Sequence, residues 1–509
     1  MTEVTTTQKE VCHKQKAQRN TYPILVFELL LITLTGTLCN TAIGQSALPD
    51  IFRPEDLLWE LQLGTHQYTI PKIDGDRIYI GTNDMALKHP AVKRTGGGIL
   101  MAIEKDTGKM IWQMPIPRYM EGTRPPYHFN QWKCGVCSRP ALEDNRLYIV
   151  GPRGDILCFD SNGQADGNNG PFLKEIEYMG LPKDSPYQLT QTDGDIIWQF
   201  NMITEIGAVP HDVCGNSPLI HGDYLYASSS NGKDDKHRLV ANPLAPSLIV
   251  MDKYTGRLVA TDGELIGKRM FHGHWSSPVA TKVNGQEIIL FGGGDGVLYA
   301  FEPYTPSNTE GRIQTLKKIW QYDCNPADYR RRDGRDIPYA KHSNKSPDGP
   351  SEIISTPVVD KGRIYVTIGQ SPLHGKGQGM LSCIDAATGR KIWDSRLVDR
   401  SILTLEIHDG LLYAPDLTGR LHCFNAETGQ HYWQHELEGR VWCASPIVVD
   451  GKVYISTEES VLWVLKAGRK KEVISRSRLK SVAITPVVHD GVFYLPTQRR
   501  LFAVKLNTP

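Results

Sequence analysis

The sequence has no apolar run long enough to cross a bilayer. Its longest uninterrupted stretch, Leu29 to Cys39, holds about 11 residues, against the roughly 20 that a spanning helix needs. Neither sign of charge is in excess. Fifty-seven Lys and Arg face 56 Asp and Glu, for a net charge of +1, so the basic surface of a nucleic-acid binder is absent. With 40% hydrophobic and 22% charged residues, the chain is also too apolar to be disordered. The pair Cys134-Gly135-Val136-Cys137 is followed by Ser138 rather than His, which excludes a standard c-type haem attachment. What the chain does have is punctuation. Its 47 glycines and 32 prolines are spread along the whole length. This favours many short strands joined by turns over a helical bundle.

The N-terminus reads as a targeting segment. Lys9, Lys14, Lys16 and Arg19 precede the apolar stretch, and Ala42 and Gly44 offer a small-residue cleavage site before Gln45. Residues 1–44 are therefore expected to be a signal peptide, and residues 45–509 a single mature domain, exported to the periplasm or beyond the cell. An uncleaved anchor is the alternative, since Glu28 interrupts the apolar stretch.

Self-comparison supplies the architecture. Ala102 to Trp112 (AIEKDTGKMIW), Cys383 to Trp393 (CIDAATGRKIW) and Cys423 to Trp433 (CFNAETGQHYW) are copies of one motif, with weaker copies at 250–260 and 158–164. The acidic or equivalent position falls at 104, 160, 252, 302, 385, 425, 466 and 505. The shortest gaps are near 40 residues, the length of a four-stranded propeller blade, and the longer ones contain insertions. Each unit opens with a Ser/Thr-Pro pair, as at Ser217-Pro218, Ser277-Pro278, Thr356-Pro357, Ser445-Pro446 and Thr485-Pro486. A turn and an apolar-Tyr-apolar strand follow, then a strand leading into the Asp-x-x-Thr-Gly turn, then a strand bearing Trp. The eighth unit ends after three strands, whereas residues 57–63 (LLWELQL) supply a Trp-bearing fourth strand with no unit of its own. The N-terminal strand is thus expected to complete the last blade of an all-β, eight-bladed propeller, leaving no open edge.

The motif resembles the pyrroloquinoline quinone (PQQ) repeat of quinoprotein dehydrogenases and of the propeller lipoprotein that assists outer-membrane protein assembly. Stretches 211–232 and 275–302 resemble more closely a group of exported bacterial PQQ-like propellers of unestablished activity. The repeat shapes blades and holds no ligand, so it implies fold rather than function.

Unusual residues gather in the loops from an outer strand to the next inner strand. These are Trp132, Cys134, Cys137 and Arg139; His211, Asp212, Cys214 and Asn216; His272, His274 and Trp275; and Arg440, Trp442 and Cys443. They share one face with the second-to-third-strand loops near 84–98, 228–247 and 370–380, the funnel face where propellers carry function. On the opposite side, insertions near 161–196 and 303–318 are expected to be solvated. Cys158, Cys383 and Cys423 occupy one third-strand slot and read as buried packing residues. Cys134 and Cys137 admit a disulfide, free thiols or a redox pair. With His211 and Cys214 they also admit a zinc or copper site.

The resemblance implies a test for PQQ with calcium. That group needs an aromatic floor, cations and metal-binding oxygens. Trp275 or Trp442, Arg139 and Arg440, and Asn216 and Glu352 are the residues on offer, but none matches a catalytic motif of the enzymes. The adjacent-cysteine disulfide of the alcohol dehydrogenases is missing, because the chain has no Cys-Cys dipeptide. The expected function is a non-catalytic scaffold that binds a protein, polysaccharide or envelope component. The alternative is a PQQ- and calcium-dependent oxidoreductase with an altered site.

Overall fold

Eight blades, each built on four antiparallel strands, follow one another along the chain, and one of them carries a fifth strand. The computed structural model describes residues 52–118, 132–212, 215–234, 239–270, 272–307, 311–337, 349–370 and 377–506. The expected signal peptide and its cleavage site lie outside them. In the first blade the strands are Lys72–Asp74, Arg77–Asn83, Gly98–Glu104 and Met110–Ile116, hydrogen-bonded in that order. The expected closure is present. Leu57–Gln62 pairs antiparallel with Arg500–Lys505, with Trp59 opposite Ala503, and completes the last blade.

The repeat motif now has a physical explanation. The Asp side chain caps its own turn: Asp385 Oδ1 accepts from Thr388 N (2.8 Å) and Thr388 Oγ1 (2.7 Å). Asp252 Oδ1 does the same for Thr255. The glycine then turns back with positive φ, +72° at Gly256 and +68° at Gly389, a conformation that costs other residues energy. Its missing side chain makes room for the neighbouring blade. A Cβ on Gly256 would lie 2.6 Å from the Trp198 ring, and one on Gly429 would lie 2.7 Å from Trp393.

Each tryptophan also donates its indole hydrogen into that turn. Trp112 bonds Ser161 O (2.9 Å), Trp198 bonds Lys253 O (3.0 Å) and Trp393 bonds Ala426 O (3.2 Å). The buried second-strand tyrosine of the same blade reaches for the same atom. Tyr365 Oη donates to Ala426 O at 2.9 Å, and Tyr79 Oη to Ser161 O at 3.3 Å. A Tyr–Trp pair therefore grips the next blade, burying two large rings and satisfying their polar ends together.

The Ser/Thr-Pro signature serves the inner wall. Blades are splayed, so their inner strands do not pair, and side-chain hydroxyls bridge them. Ser217 N donates to Ser277 Oγ (2.9 Å), Thr404 N to Ser445 Oγ (3.2 Å) and Ser445 N to Thr485 Oγ1 (2.8 Å). These bonds satisfy donors that would otherwise lack partners.

Two expectations fail. The 161–196 insertion is not a solvated loop: Tyr178 and Met179 are buried in the core cluster of the first blades. Asp193 ties it down, meeting His89 Nε2 at 3.0 Å and accepting from Tyr187 Oη at 2.7 Å. Nor is 303–318 merely surface, because Gln314–Thr315 adds a parallel fifth strand to the outer edge of the third blade and Leu316 is buried. That blade has Ala260 in place of the outer-strand tryptophan, and the borrowed strand covers its edge.

Candidate functional site

The loops preceding the third and fourth blades hold the densest group of reactive side chains. After the outer strand Asp195–Asn201, Asn201 caps a one-turn helix (Met202–Ile206) by accepting from Ile203 N and Thr204 N. Gly207, at φ +66°, ends it. The chain then runs into the face, where Val209 N donates to Asn231 Oδ1 (3.0 Å) and His211 N to Ser230 O (3.2 Å). The His211 ring comes to rest 4.3 Å, centroid to centroid, from His272 of the next loop. The close approach requires Gly232, where a Cβ would lie 2.3 Å from His211 Cβ and 2.8 Å from His272 O.

Asp212 sits between the two imidazoles. Its Oδ1 lies 3.6 Å from His211 Nε2 and its Oδ2 3.9 Å from His272 Nε2. Trp132 Nε1 donates to Asp212 Oδ1 at 3.2 Å, and the half-buried Trp275 packs edge-on against His272 at 4.8 Å. Both histidines are buried, whereas the Asp212 side chain is 20% exposed. The site therefore opens on the aspartate side.

Several sequence candidates have other duties. Glu352 accepts from His272 N at 2.6 Å and is wholly buried, which pushes its carboxyl well above the usual range. It anchors the His272 loop. His274 is a core histidine, accepting from Gly294 N at Nδ1 (3.1 Å) and facing Ser247 Oγ at Nε2 (2.9 Å); burial pushes it down to about 3. Asn216 is buried with its amide donated to Ser230 Oγ (2.7 Å). Arg440 is paired with Glu458 at 2.6 Å. Trp442 is half-buried in the loop to the seventh blade.

Arg139 differs. It is exposed to water, its backbone N–H bonds Ser217 Oγ, and the surrounding protein lowers its guanidinium pKa through desolvation.

Cys134, Cys137 and Cys443 gather round the Tyr68 hydroxyl, which burial and then these thiols push upward. Among the described residues Cys134 and Cys443 are free thiols. Val136, between the two cysteines of the pair, is tied to the first blade, its N donating to Thr82 O and its O accepting from Thr69 Oγ1. Cys214, which completes the sequence-based metal set with Cys134, Cys137 and His211, lies outside the described residues. The partnership of Asp212 with His272 was missed, because it joins two loops with no shared spacing.

Trp275 is set against His272 and Arg440 is paired to Glu458, so both have contacts within the protein.

Eight blades, closed by the N-terminal strand, define an eight-bladed β-propeller whose repeats are similar to those of the PQQ-like propellers. Residues 377–508 match the family model described as outer membrane protein assembly factor BamB. Among solved structures, the chain is similar to BamB from Moraxella catarrhalis at 14% identity and a TM-score of 0.53, covering 89% of this chain and 98% of that one. A europium-containing methanol dehydrogenase has the same identity and TM-score, with 88% and 86% covered. Saccharomyces cerevisiae Sqt1 follows at 9% identity and a TM-score of 0.52, with 89% and 99% covered. At such identities the likeness is one of fold. No curated protein sequence matches the chain.

Proposed function

We propose that the protein is an exported, non-catalytic binding propeller that holds an acidic partner against its funnel face. Arg139 carries this reading. Among the described residues no ion pair engages its guanidinium, and desolvation alone moves its pKa. An uncompensated cation between low-dielectric walls projects its field outward. The partner chemistry that fits is a carboxylate-, sulfate- or phosphate-bearing protein segment, polysaccharide or envelope component. Trp442 offers a nearby class of anchor, since Trp and Arg commonly dominate binding energy. The match of residues 377–508 to an assembly-factor family is consistent with partner binding. Export is supported by the basic and apolar N-terminal pattern, and among the described residues no helix is long and apolar enough to cross a membrane.

Equilibrium dialysis of the full protein with PQQ and calcium, followed by dye reduction with alcohols, aldehydes and sugars, separates the two readings. The expected result is no stoichiometric quinone and no turnover, with salt-sensitive retention on polyglutamate or polygalacturonate that Arg139→Ala abolishes. Substrate-dependent turnover would reverse the reading.

A further inference from the structure

We propose that His211, Asp212 and His272 form a binding site for one divalent transition-metal ion, of the class to which zinc belongs. The site does not depend on which partner the funnel face takes.

The first support is distance. One ligand atom from each residue lies within 4.8 Å of the other two. The shorter separations are 3.6 Å between His211 Nε2 and Asp212 Oδ1, and 3.9 Å between His272 Nε2 and Asp212 Oδ2. Ligands about 2.05 Å from a tetrahedral zinc stand about 3.4 Å apart. These two separations need only a few tenths of an ångström of contraction, and the widest one, up to 4.8 Å, must close by about 1.4 Å. The carboxylate turns one oxygen toward each imidazole, so that either oxygen can reach an ion held by both rings.

The second support is the tautomer. His211 Nδ1 lies 2.8 Å from Lys233 O. A carbonyl only accepts, so Nδ1 carries the hydrogen, and in the neutral ring this leaves Nε2, which faces Asp212, as the ligand atom. Metal-binding histidines are oriented in this way by a carbonyl or carboxylate that accepts from the other ring nitrogen.

The third support is rigidity. The two histidines arrive from different loops, yet Lys233 N donates to His272 O at 2.9 Å and Glu352 holds His272 N. The ligand positions are thus fixed relative to one another by backbone bonds before any ion arrives, which lowers the ordering cost of binding.

The donor set selects the ion. Two imidazole nitrogens and one carboxylate suit zinc, cobalt, nickel or copper, whereas calcium and magnesium prefer all-oxygen shells. This separates the site from a calcium-quinone centre. Three protein ligands leave a coordination position, and the exposed side of Asp212 is where water or a partner's donor group reaches it.

The test uses the full protein, stripped with chelator and titrated with Zn²⁺ and Co²⁺. The expected outcome is one equivalent bound, a higher melting temperature, and a Co²⁺ spectrum with ligand-field bands but no thiolate charge transfer. Asp212→Asn and His272→Gln should each weaken binding by about 100-fold or more, while the Cys134→Ser, Cys137→Ser double variant should bind as the parent does. Absence of stoichiometric zinc, affinity unchanged in Asp212→Asn, or a thiolate band in the parent's cobalt spectrum would each overturn the assignment. The spectrum of the parent protein decides the matter even if a histidine variant does not fold.

Discussion

The indole of Trp59 lies over Gly108 and donates its Nε1 hydrogen to Lys105 O at 2.9 Å. Trp59 belongs to the N-terminal strand and Lys105 to the first blade, so this contact joins the last blade to the first.

The closure makes Trp59→Ala a strong probe. The side chain is buried, and removing a large buried aromatic costs roughly 3–5 kcal/mol. Chemical denaturation should show a loss of that size, and deletion through residue 63 should prevent cooperative folding. Melting of the deletion variant at the parent temperature would mean that the ring closes elsewhere.

Two glycines with the same backbone demand but different surroundings separate strain from docking. Gly256 and Gly285 have φ of +72° and +83°; a Cβ on the first meets Trp198, and one on the second meets nothing within 4 Å. Gly285→Ala should cost about 1–2 kcal/mol for the left-handed conformation alone. Gly256→Ala should cost clearly more, because the Trp198 ring must move. Equal losses in urea titrations would show that glycine docking contributes nothing.

Stability should fall between about pH 4 and 7 through Asp195. Burial, with the nearby Glu175, Asp160 and Asp166 carboxylates, pushes its carboxyl up to about 7. A carboxyl raised in the folded state binds more protons than in the unfolded chain. Its contribution is complete below pH 4 and lost as pH rises through 7. Asp195→Asn keeps an acceptor for Asn169 N and removes the charge. The melting temperature of this variant should exceed that of the parent by a few degrees at pH 8, with little difference at pH 4. An identical pH profile in both proteins would contradict this.

The thiols should be inert in the native protein. Burial pushes Cys158 up to about 12 and Cys383 up to about 11, so little reactive thiolate forms. At pH 8, modification of Cys158 should be about a thousandfold slower than after denaturation. Alkylation of denatured, unreduced protein should place two groups on the peptide carrying Cys134 and Cys137. A mass two hydrogens lighter and unalkylated would reveal a disulfide there.

Most of the architecture was legible because its signals are local. Strand alternation, the glycine turn and the recurring tryptophan act within a blade, so the count of eight and the strand-swapped closure follow from the motif's spacing and its incomplete last copy. The insertions were misread for the opposite reason. Residues 161–196 are polar and glycine-rich locally, and only the arrival of His89 and the first-blade core shows that Asp193 and Tyr178 are buried.

The candidate site divides in the same way. The sequence by itself determined that Trp132, His211, Asp212, His272 and Trp275 share one face, because every outer-to-inner loop must emerge there. Only the tertiary structure decided that Asp212 stands between two histidines, that Glu352 is an anchor and that Cys134 turns to Tyr68 instead. Strand pairing repeats with a fixed period and so leaves a pattern in the chain. Loop conformation is set by single hydrogen bonds from neighbouring blades, such as those of Lys233 O and Glu352 Oε1, and these leave none.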